Sequence, residues 1–451
     1  MKVRLDIPIT LSEIARAIGG VFRGIDQEIR YVVTNSKEVT KDSVFFALER
    51  AEEYVSDALK RGHAVSRENS EAILVRDTGT ALLALASYYL DKLPRLKQTV
   101  MITGSVGKTT VKEFTAKLLG QKFKVHKSSG NFNNRIGLPL SILSAPIDTE
   151  ILVLEAGMNH EGEIEELSLC ARPNIAVITR IGTAHIGNLG SREKIAKAKL
   201  EITKGLRRGG SIIVPENEIL LKGIKNSLTF GTGGDAAVNI KRVGINETLF
   251  DLAFYDGKLE NVGVPFGGAH FAFDFAAATL VAKCCGFKIE DTKGALSSFF
   301  DIVSRQKLVY LKKFTIFDDS YNASFESYVA DFEVLKSHKN ATGAVLGDIL
   351  ELGSSAEEMH IALGKAAAKA GIKRLYPFGK YADFVAMGAI SEGHEKSTIF
   401  VNTDTENHEK TAREVIENTE CGELVLVKGS RALQTELITG YIQKELGERN
   451  A

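Results

Sequence analysis

The sequence predicts an α/β protein in which three consecutive units each combine strands with helices. Short apolar runs alternate with stretches of helical spacing along most of the 451 residues, a rhythm typical of βαβ units and a mainly parallel sheet. A glycine-rich loop at 104–110 follows one apolar run and precedes a helical pattern. Changes in the local motifs, with Pro94 breaking the pattern before the second unit, divide the chain into 1–97, 98–305 and 306–451.

The composition is that of a soluble globular protein, with 44% hydrophobic and 25% charged residues. Lys+Arg and Asp+Glu both number 57, and the formal net charge of +0 argues against a broad interaction with nucleic acid or a membrane surface. We expect a cytoplasmic protein, because no stretch has the apolar core of a signal peptide or transmembrane length. The four cysteines form no C-x-x-C pair and are expected to be buried free thiols.

The first unit is predicted to be a small α/β domain. Strands are expected in EIRYVVTNS and DSVFFALE, and an amphipathic helix in TGTALLALASYYLDKL, whose first threonine can cap it. The cluster Asn35-Ser36-Lys37 is either a ligand loop or a solvated turn, and the residues do not decide between the two.

The glycine-rich loop of the second unit predicts nucleotide binding. Such a loop points successive backbone N–H groups into one concavity at a helix N-terminus. Lys108 can then reach the outer phosphates, and the hydroxyl of Thr109 can reach a phosphate-bound Mg²⁺. Ile102 stands where the strict phosphate-loop spacing requires glycine. The residues of the loop are Gly104, Ser105, Val106, Gly107, Lys108, Thr109 and Thr110.

Polar residues follow other predicted strands of the second unit. Glu155 ends ILVLEAG, and His185 lies in RIGTAHIGNLG. Because ligands gather at the carboxyl ends of parallel strands, we expect both beside the glycine loop, where they suit a magnesium site. Lys199 lies among other lysines in IAKAKLEITKGL, which by residue pattern predicts a solvated basic face.

Further candidate contacts lie in loops. The amides of 131–134 suit a polar ligand loop or a plain turn. In the third unit, DDSYN at 318–322 suits a ribose or metal site or a capped turn, and the ends of two later strands can meet a substrate carboxylate or phosphate. The substrate-binding candidates are Asn35, Ser36, Asn131, Asn133, Asn134, Tyr321, Asn322, Asp348, Lys428 and Ser430.

As a set, these motifs resemble those of the ATP-dependent Mur ligases, which build the peptide stem of bacterial peptidoglycan. The family's shorter glycine loop, T-G-x-x-G-K-T, removes the objection raised by Ile102. Three motifs in the C-terminal part, at 318–324, 346–353 with His360, and 426–431, are typical of the branch of the family that adds D-alanyl-D-alanine. The carriers of the resemblance are TGSVGKTT (103–110), GNFNNRIGLPLSIL (130–143), LEAGMNHEGEI (154–164), TRIGTAHIGNLGSREKIAKAKLEI (179–202), DDSYNAS (318–324), LGDILELG (346–353) with His360, and LVKGSR (426–431).

The resemblance implies three domains and a reaction. The domains are a UDP-substrate-binding domain (1–97), a P-loop-type ATPase domain (98–305), and a C-terminal Rossmann-like domain (306–451) that binds the acceptor and closes over ATP. ATP would phosphorylate the peptide carboxylate of UDP-N-acetylmuramoyl-tripeptide, and the amine of D-alanyl-D-alanine would attack the acyl phosphate. We expect a monomer that takes both as small-molecule substrates and binds neither nucleic acid nor membrane.

The resemblance also implies residue roles. Lys199 matches a lysine that relatives carbamylate with CO₂, which converts a cation into a metal-directed carboxylate. Arg305 and Asp319 match positions that hold the phosphate and ribose of ATP. The implied catalytic residues are Lys108, Glu155, His185 and Lys199. The implied ligands of two Mg²⁺ ions are Thr109, Glu155, His185 and Lys199.

The chain departs from the family pattern at binding positions. Asn35-Ser36-Lys37 replaces Asp-Ser-Arg, and an Asp-Gly-His segment is missing before Tyr54. Phe271 and Asp274 occupy asparagine positions, and Ser324-Phe325 replaces Asn-Pro. Because the catalytic positions are intact, we predict divergence in UDP and adenine binding rather than loss of activity.

Two alternatives stay open from the sequence. One is another amide ligase of the superfamily, which adds a single amino acid to a muramyl peptide or glutamate to folate. The other is a nucleotide-dependent switch protein that uses the glycine loop without ligation. It would turn over ATP slowly, at a rate unaffected by muramyl peptide or dipeptide.

Overall fold

The computed structural model describes residues 1–292 and 306–449, and within these residues it contains three β-sheets. Each sheet is formed by one consecutive part of the chain. The mixed α/β class predicted from the sequence is confirmed. The domain limits at 97 and 305 stay a prediction.

The first sheet has the order β1-β2-β3-β4-β5, with β1 antiparallel to β2 and the other pairs parallel. Helix α3 is capped by Asp77, whose carboxylate accepts a hydrogen bond from the Thr80 amide at 2.6 Å. The expected cap, Thr78, instead donates its hydroxyl to the Ala47 carbonyl at 2.8 Å. The elements are β1 (Lys2–Thr10), α1 (Leu11–Ala17), β2 (Glu28–Val33), β3 (Ser43–Phe46), α2 (Val55–Leu59), β4 (His63–Ser66), β5 (Ile73–Leu74) and α3 (Thr78–Lys92).

The second sheet has the order β14-β13-β12-β11-β10-β9-β6-β8-β7. Its pairs from β7 to β12 are parallel, but β12, β13 and β14 form an antiparallel meander that strand–helix alternation did not predict. Alternating burial along β12 fits an antiparallel edge with one solvated face. The elements are β6 (Gln98–Thr103), α4 (Lys108–Leu119), β7 (Val125–Lys127), α5 (Gly137–Leu143), β8 (Ile151–Glu155), α6 (Glu163–Ala171), β9 (Ile175–Ile178), α7 (Ile186–Leu189), α8 (Arg192–Leu200), β10 (Ser211–Pro215), β11 (Ser227–Gly231), β12 (Ala236–Val243), β13 (Thr248–Phe254), β14 (Gly257–Val264) and α9 (Ala269–Cys284).

The third sheet has the order β15-β16-β19-β17-β18, and its edge strand β15 is antiparallel to β16. The departure Ser324-Phe325 has a local reason, since the Ser324 hydroxyl caps α10 by accepting the Ser327 amide at 3.2 Å. The elements are β15 (Lys307–Tyr310), β16 (Thr315–Asp318), α10 (Phe325–Lys336), β17 (Ala341–Gly347), α11 (Ala356–Lys369), β18 (Arg374–Phe378), α12 (Ala382–Ser391), α13 (His408–Asn418), β19 (Leu424–Lys428) and α14 (Glu436–Leu446).

Helix α3 attaches the first domain to the second. It packs on α5 and α6 within one continuous apolar core. The Arg172 guanidinium donates to the Ser87 carbonyl and to the Asp91 carboxylate, each at 2.8 Å, and the Cys170 thiol donates to the Leu83 carbonyl at 3.3 Å. The first two domains are therefore joined by buried packing as well as by the chain.

The order of the second sheet positions the site. Strand β6 lies between β8 and β9, and Ile102 pairs with both Glu155 and Val177. The carboxyl ends of these three strands are thus adjacent, so the loops that follow them meet at one edge, as expected for an open α/β sheet.

Two further expectations concern the whole chain. Cys170 is buried, Cys284 and Cys285 are half-buried and Cys421 is exposed, so the expectation of buried thiols is wrong for Cys421. Among the helices in the described ranges, none is both long and apolar enough to cross a membrane.

Candidate active site

The glycine-rich loop is fixed by two left-handed glycines and by contact with the loop after β9. Gly104 and Gly107 have φ angles of 151° and 87°. A Cβ atom on Gly104 would lie 1.9 Å from the Thr179 hydroxyl, which itself donates to the Val106 carbonyl at 2.5 Å. Helix α4 begins at Lys108, directly after the loop. The N–H groups of its first turn and its positive end make the loop suited to phosphate.

The carboxylate of Glu155 lies at the mouth of this loop and is 3% exposed. One of its oxygens accepts the Thr109 hydroxyl at 2.9 Å and the other accepts the Asn133 amide at 2.9 Å. The ammonium of Lys112, itself 1% exposed, lies 3.6 Å from the same carboxylate. The carboxylate is therefore held in place by groups from α4 and from the loop before α5.

The donor set at Glu155 and Thr109 fits magnesium. Its atoms are a carboxylate and a hydroxyl oxygen, the hard ligands that Mg²⁺ prefers. In the described ranges there is no group of three or more His, Cys, Asp or Glu residues that could hold a metal ion. Such an ion would therefore complete its shell with phosphate oxygens and water, as is usual for Mg²⁺ at nucleotide sites.

His185 joins the central domain to the C-terminal domain. It has a left-handed φ of 65°, which is uncommon outside glycine, and its Nδ1 lies 2.5 Å from the Glu351 carboxylate. Burial lowers the pKa of His185 and the Lys108 ammonium lowers it further, while the Glu351 carboxylate opposes them. A lowered pKa favours the neutral imidazole, the form that binds metals.

Lys199 is buried rather than solvated. It is 1% exposed, whereas Lys197 on the same helix is 74% exposed and pairs with Glu161. The expectation of a solvated basic face is therefore wrong for Lys199, because α8 turns this side chain into the core. Burial, with help from the Lys108 cation, lowers the pKa of Lys199 well below its usual range. Its amine therefore favours the neutral form, which is the form that can react with CO₂.

The loops of the central domain face the C-terminal domain across a cavity of about 460 Å³. The structure thus brings together most of the predicted site residues from both domains. The central wall includes Lys108, Thr109, Asn131, Asn133, Glu155 and His185. The C-terminal wall includes Tyr321, Asn322, Ile349, Leu350, Glu351, Ser430, Arg431 and Ala432.

A second cavity, of about 560 Å³, adjoins the first at Val106 and Gly107, which line both. Phe271, Asp274 and Asp319 are among its lining residues. The chain's departures at the family's asparagine positions therefore lie beside the phosphate loop, at the place where a nucleoside would extend from it.

Lys428 was predicted to bind substrate, but its side chain is buried inside the protein. It is 1% exposed, forms an ion pair with Asp319, and lies 2.9 Å from the Asp331 carboxylate. Burial alone would lower the pKa of Lys428, but the two aspartates raise it above the usual value. Its charge is already neutralised inside the protein, so its ammonium is not presented to a substrate.

The polar side chains of Asp348 and Ser430 hold a loop. Ser430 also lines the cavity, whereas Asp348 is not among the lining residues. Asp348 is 3% exposed and accepts the Tyr381 amide at 3.0 Å. The Ser430 hydroxyl accepts the Leu350 amide at 3.0 Å, and the buried His360 accepts the Ile349 amide at 3.0 Å. Their contacts fix the loop 348–352, which forms the C-terminal wall.

The remaining predicted residues lie elsewhere. Asn35 accepts the Lys37 amide at 3.1 Å in a surface turn, and neither Asn35 nor Ser36 lines the cavities described above. The Asn134 side chain accepts the amide of Gly137, the first residue of α5, at 2.8 Å. Arg305 lies outside the described residues.

Two glutamates that sequence reasoning missed connect the domains. The Glu326 carboxylate accepts the Thr183 amide at 2.8 Å, and the Glu351 carbonyl accepts the Gly187 amide at 3.0 Å. Glu351 lies inside the motif at 346–353, but nothing local shows that it contacts His185. Lys112 was missed as well, although helical spacing places it one turn after Lys108.

Known proteins resemble this chain along its length. The family model for the Mur ligase middle domain matches residues 102–282, and the model for the Mur ligase, glutamate ligase domain matches residues 304–431. The UDP-N-acetylmuramoyl-tripeptide–D-alanyl-D-alanine ligase of Bacillus subtilis is 36% identical over 95% of this chain and 97% of its own.

Solved structures agree with this similarity. A crystal structure of MurF from Acinetobacter baumannii superposes with a TM-score of 0.89 at 27% identity, covering 98% of this chain and 100% of that one. The MurF ligase of Thermotoga maritima in complex with ADP has a TM-score of 0.81 at 29% identity, covering 92% and 97%.

Proposed function

The chain belongs to the Mur ligase family, and on that premise we propose that it adds D-alanyl-D-alanine to UDP-N-acetylmuramoyl-tripeptide with ATP. This is a cytoplasmic step in making peptidoglycan precursors. The observation that carries the proposal is the cavity of about 460 Å³, where the phosphate loop with Thr109 and Glu155 faces the motifs of the C-terminal domain. A phosphorylated carboxylate and an incoming amine can meet there away from bulk water.

The two adjoining cavities suit one ATP molecule. The nucleoside would occupy the cavity of about 560 Å³, with Asp319 toward the ribose and Phe271 toward the base. The phosphates would lie on the loop at Val106 and Gly107, which line both cavities. The γ-phosphate would then point into the cavity that holds the two peptide substrates.

The chemistry follows from the poor reactivity of a carboxylate. An oxygen of the tripeptide carboxylate attacks the γ-phosphorus, and ADP leaves. The amine of the dipeptide then attacks the acyl carbon, so that a C–N bond forms, the C–O bond to phosphate breaks, and the amine loses its proton. Lys108 lies at the loop, where its ammonium can neutralise the transferring phosphoryl group. Its Nζ donates to the Gly104 carbonyl at 2.8 Å.

Thr109 and Glu155 would hold one Mg²⁺, and His185 would help to hold a second. Bound Mg²⁺ supplies positive charge to the phosphate oxygens. We propose that Lys199 carries a carbamate, which forms when its neutral amine bonds to the carbon of CO₂ and releases a proton. A ¹³C-bicarbonate NMR experiment tests this modification directly, with a carbamate resonance expected in the wild type and absent in Lys199→Ala.

Phosphate release with UDP-N-acetylmuramoyl-tripeptide, ATP and a panel of amine acceptors tests the proposed function. D-Alanyl-D-alanine should stimulate release far above single amino acids. Equal stimulation by a single amino acid would favour another amide ligase of the superfamily, and release independent of every acceptor would favour a switch protein.

Glu155→Gln tests the site within the same assay. We expect turnover to fall roughly 100-fold or more, because charge stabilisation at the transferring group is lost. Mn²⁺ binding followed by electron paramagnetic resonance should weaken in parallel. The control is Glu161→Gln, a half-exposed carboxylate paired with Lys197 outside the cavity. If Glu155→Gln kept both Mn²⁺ affinity and turnover, this site assignment would be wrong.

A further inference from the structure

The acceptor dipeptide carries two methyl groups, an amine that must attack, and a carboxylate that must not react. The C-terminal wall of the 460 Å³ cavity has matching chemistry, because the apolar residues Leu350 and Ala432 line it together with Arg431. Arg431 is the only arginine among the described residues that line this cavity. Arginine binds carboxylates through two parallel N–H groups, which gives geometry as well as charge.

Arg431 is held in position while part of its guanidinium stays open. Its Nη1 donates to the Glu436 carboxylate at 2.7 Å, and the guanidinium carbon lies 5.9 Å from the centre of the Tyr321 ring. Its backbone amide donates to the Asn322 side chain at 3.4 Å. The side chain is nevertheless 61% exposed. Glu436 therefore orients the guanidinium through one nitrogen, and the Nε–Nη2 edge can receive a second carboxylate.

The other cationic side chains near the cavity already interact with other groups of the protein. Lys428 is buried in its ion pair with Asp319 and Asp331. Lys108 belongs to the phosphate loop, and His185 contacts Glu351. A carboxylate that enters along the C-terminal wall therefore meets Arg431.

We propose that Arg431 binds the C-terminal carboxylate of the acceptor dipeptide and selects acceptors that end in a free carboxylate. This rests on the proposed function and names a specificity residue for it. Two residues span about 7 Å when extended. A dipeptide anchored at Arg431 therefore directs its amine away from that wall, toward the phosphate loop.

The experiment compares two acceptors, D-alanyl-D-alanine and its C-terminal carboxamide, in wild type and Arg431→Gln. The wild type should prefer the carboxylate by roughly 10- to 100-fold in kcat/KM, the value of a charge-assisted hydrogen-bonded pair. Arg431→Gln should abolish this preference by raising the KM of the dipeptide. The KM values of ATP and UDP-N-acetylmuramoyl-tripeptide should stay within about twofold, since ordinary surface substitutions have small effects.

The matched control is Arg413→Gln, because Arg413 is an exposed arginine of the same domain that pairs with Glu409 outside the cavity. It should keep the wild-type preference. An unchanged preference in Arg431→Gln, or an equal loss for both acceptors, would overturn the proposal. Equal use of both acceptors by the wild type would also overturn the proposal, and this result does not depend on whether the variant folds. Turnover of the dipeptide by the wild type separately tests the proposed function. A complete absence of turnover would contradict both the proposed function and the role of Arg431.

Discussion

Replacement of Gly187 by alanine tests whether a close backbone contact holds the C-terminal domain against the central domain. A Cβ atom at this position would lie 2.4 Å from the Gly353 nitrogen, 2.7 Å from the Glu351 carbonyl oxygen and 2.8 Å from the Leu352 carbonyl carbon. All three atoms belong to backbone of the other domain. Gly187 is not among the residues with positive φ, so alanine fits its backbone conformation and only the space is at issue.

The size of the effect follows from these distances. Because ordinary contacts begin near 3.4 Å, the backbone around Gly353 must retreat by about 1 Å from its contact of 2.4 Å. The hydrogen bond from the Gly187 amide to the Glu351 carbonyl, now 3.0 Å, would then exceed hydrogen-bonding range. Its loss, together with the weakened contact of His185 with Glu351, should cost about 1–3 kcal/mol and shift the domain equilibrium roughly 5- to 150-fold.

Hydrogen exchange measured by mass spectrometry reports this shift. In Gly187→Ala, peptides covering 185–190 and 349–353 should exchange faster by the same factor, and turnover should fall. Thermal unfolding of the central domain should change little. The control is Gly440→Ala, because a Cβ atom there meets nothing within 4 Å. Wild-type exchange and turnover in Gly187→Ala would refute the argument that this contact holds the domains together.

Two further variants test buried and half-buried charges. Lys428→Met leaves Asp319 and Asp331 buried without their cation, and it should destabilise the C-terminal domain by about 3–5 kcal/mol, measured by thermal unfolding; an unchanged midpoint would contradict the ion pair. The hydrogen bond from Lys92 and the backbone amide of Thr10 lower the pKa of Glu13. The pKa of this carboxyl is lower in the folded state than in the unfolded state. Its contribution to the free energy of unfolding is therefore present above the unfolded-state pKa and is lost as the pH falls through the folded-state pKa. Glu13→Gln should therefore lower stability by about 1 kcal/mol at pH 7 and have little effect once the pH has fallen below the folded pKa. An equal loss under both conditions would show that charge is irrelevant.

The sequence alone predicted the elements whose cause is local. A strand, a glycine loop and a helix containing Lys108 and Thr109 require only neighbouring residues, and the structure has them in this order. Glu155 and the loop of His185 were expected at the same edge because parallel strands align their carboxyl ends. The sheet order agrees with that reasoning, since β6 lies between β8 and β9.

Contacts between distant segments could not be predicted in this way. Local spacing placed Lys199 on a solvated face, but the packing of α8 buries it. Lys428 follows a strand like a ligand-binding residue, yet Asp319 and Asp331 neutralise it from other elements. In both cases the surroundings of a lysine depend on residues far away in the chain.

The sequence by itself thus determined the phosphate loop, the α/β class and the family, because these depend on short motifs and on periodicity. Only the tertiary structure decided which charges are buried, which residues join the domains, and which cation of the C-terminal domain lines the cavity. Burial and pairing depend on which distant segments of the chain pack together. Arg431 lines the cavity, whereas Lys428, three residues earlier, is enclosed with Asp319 and Asp331.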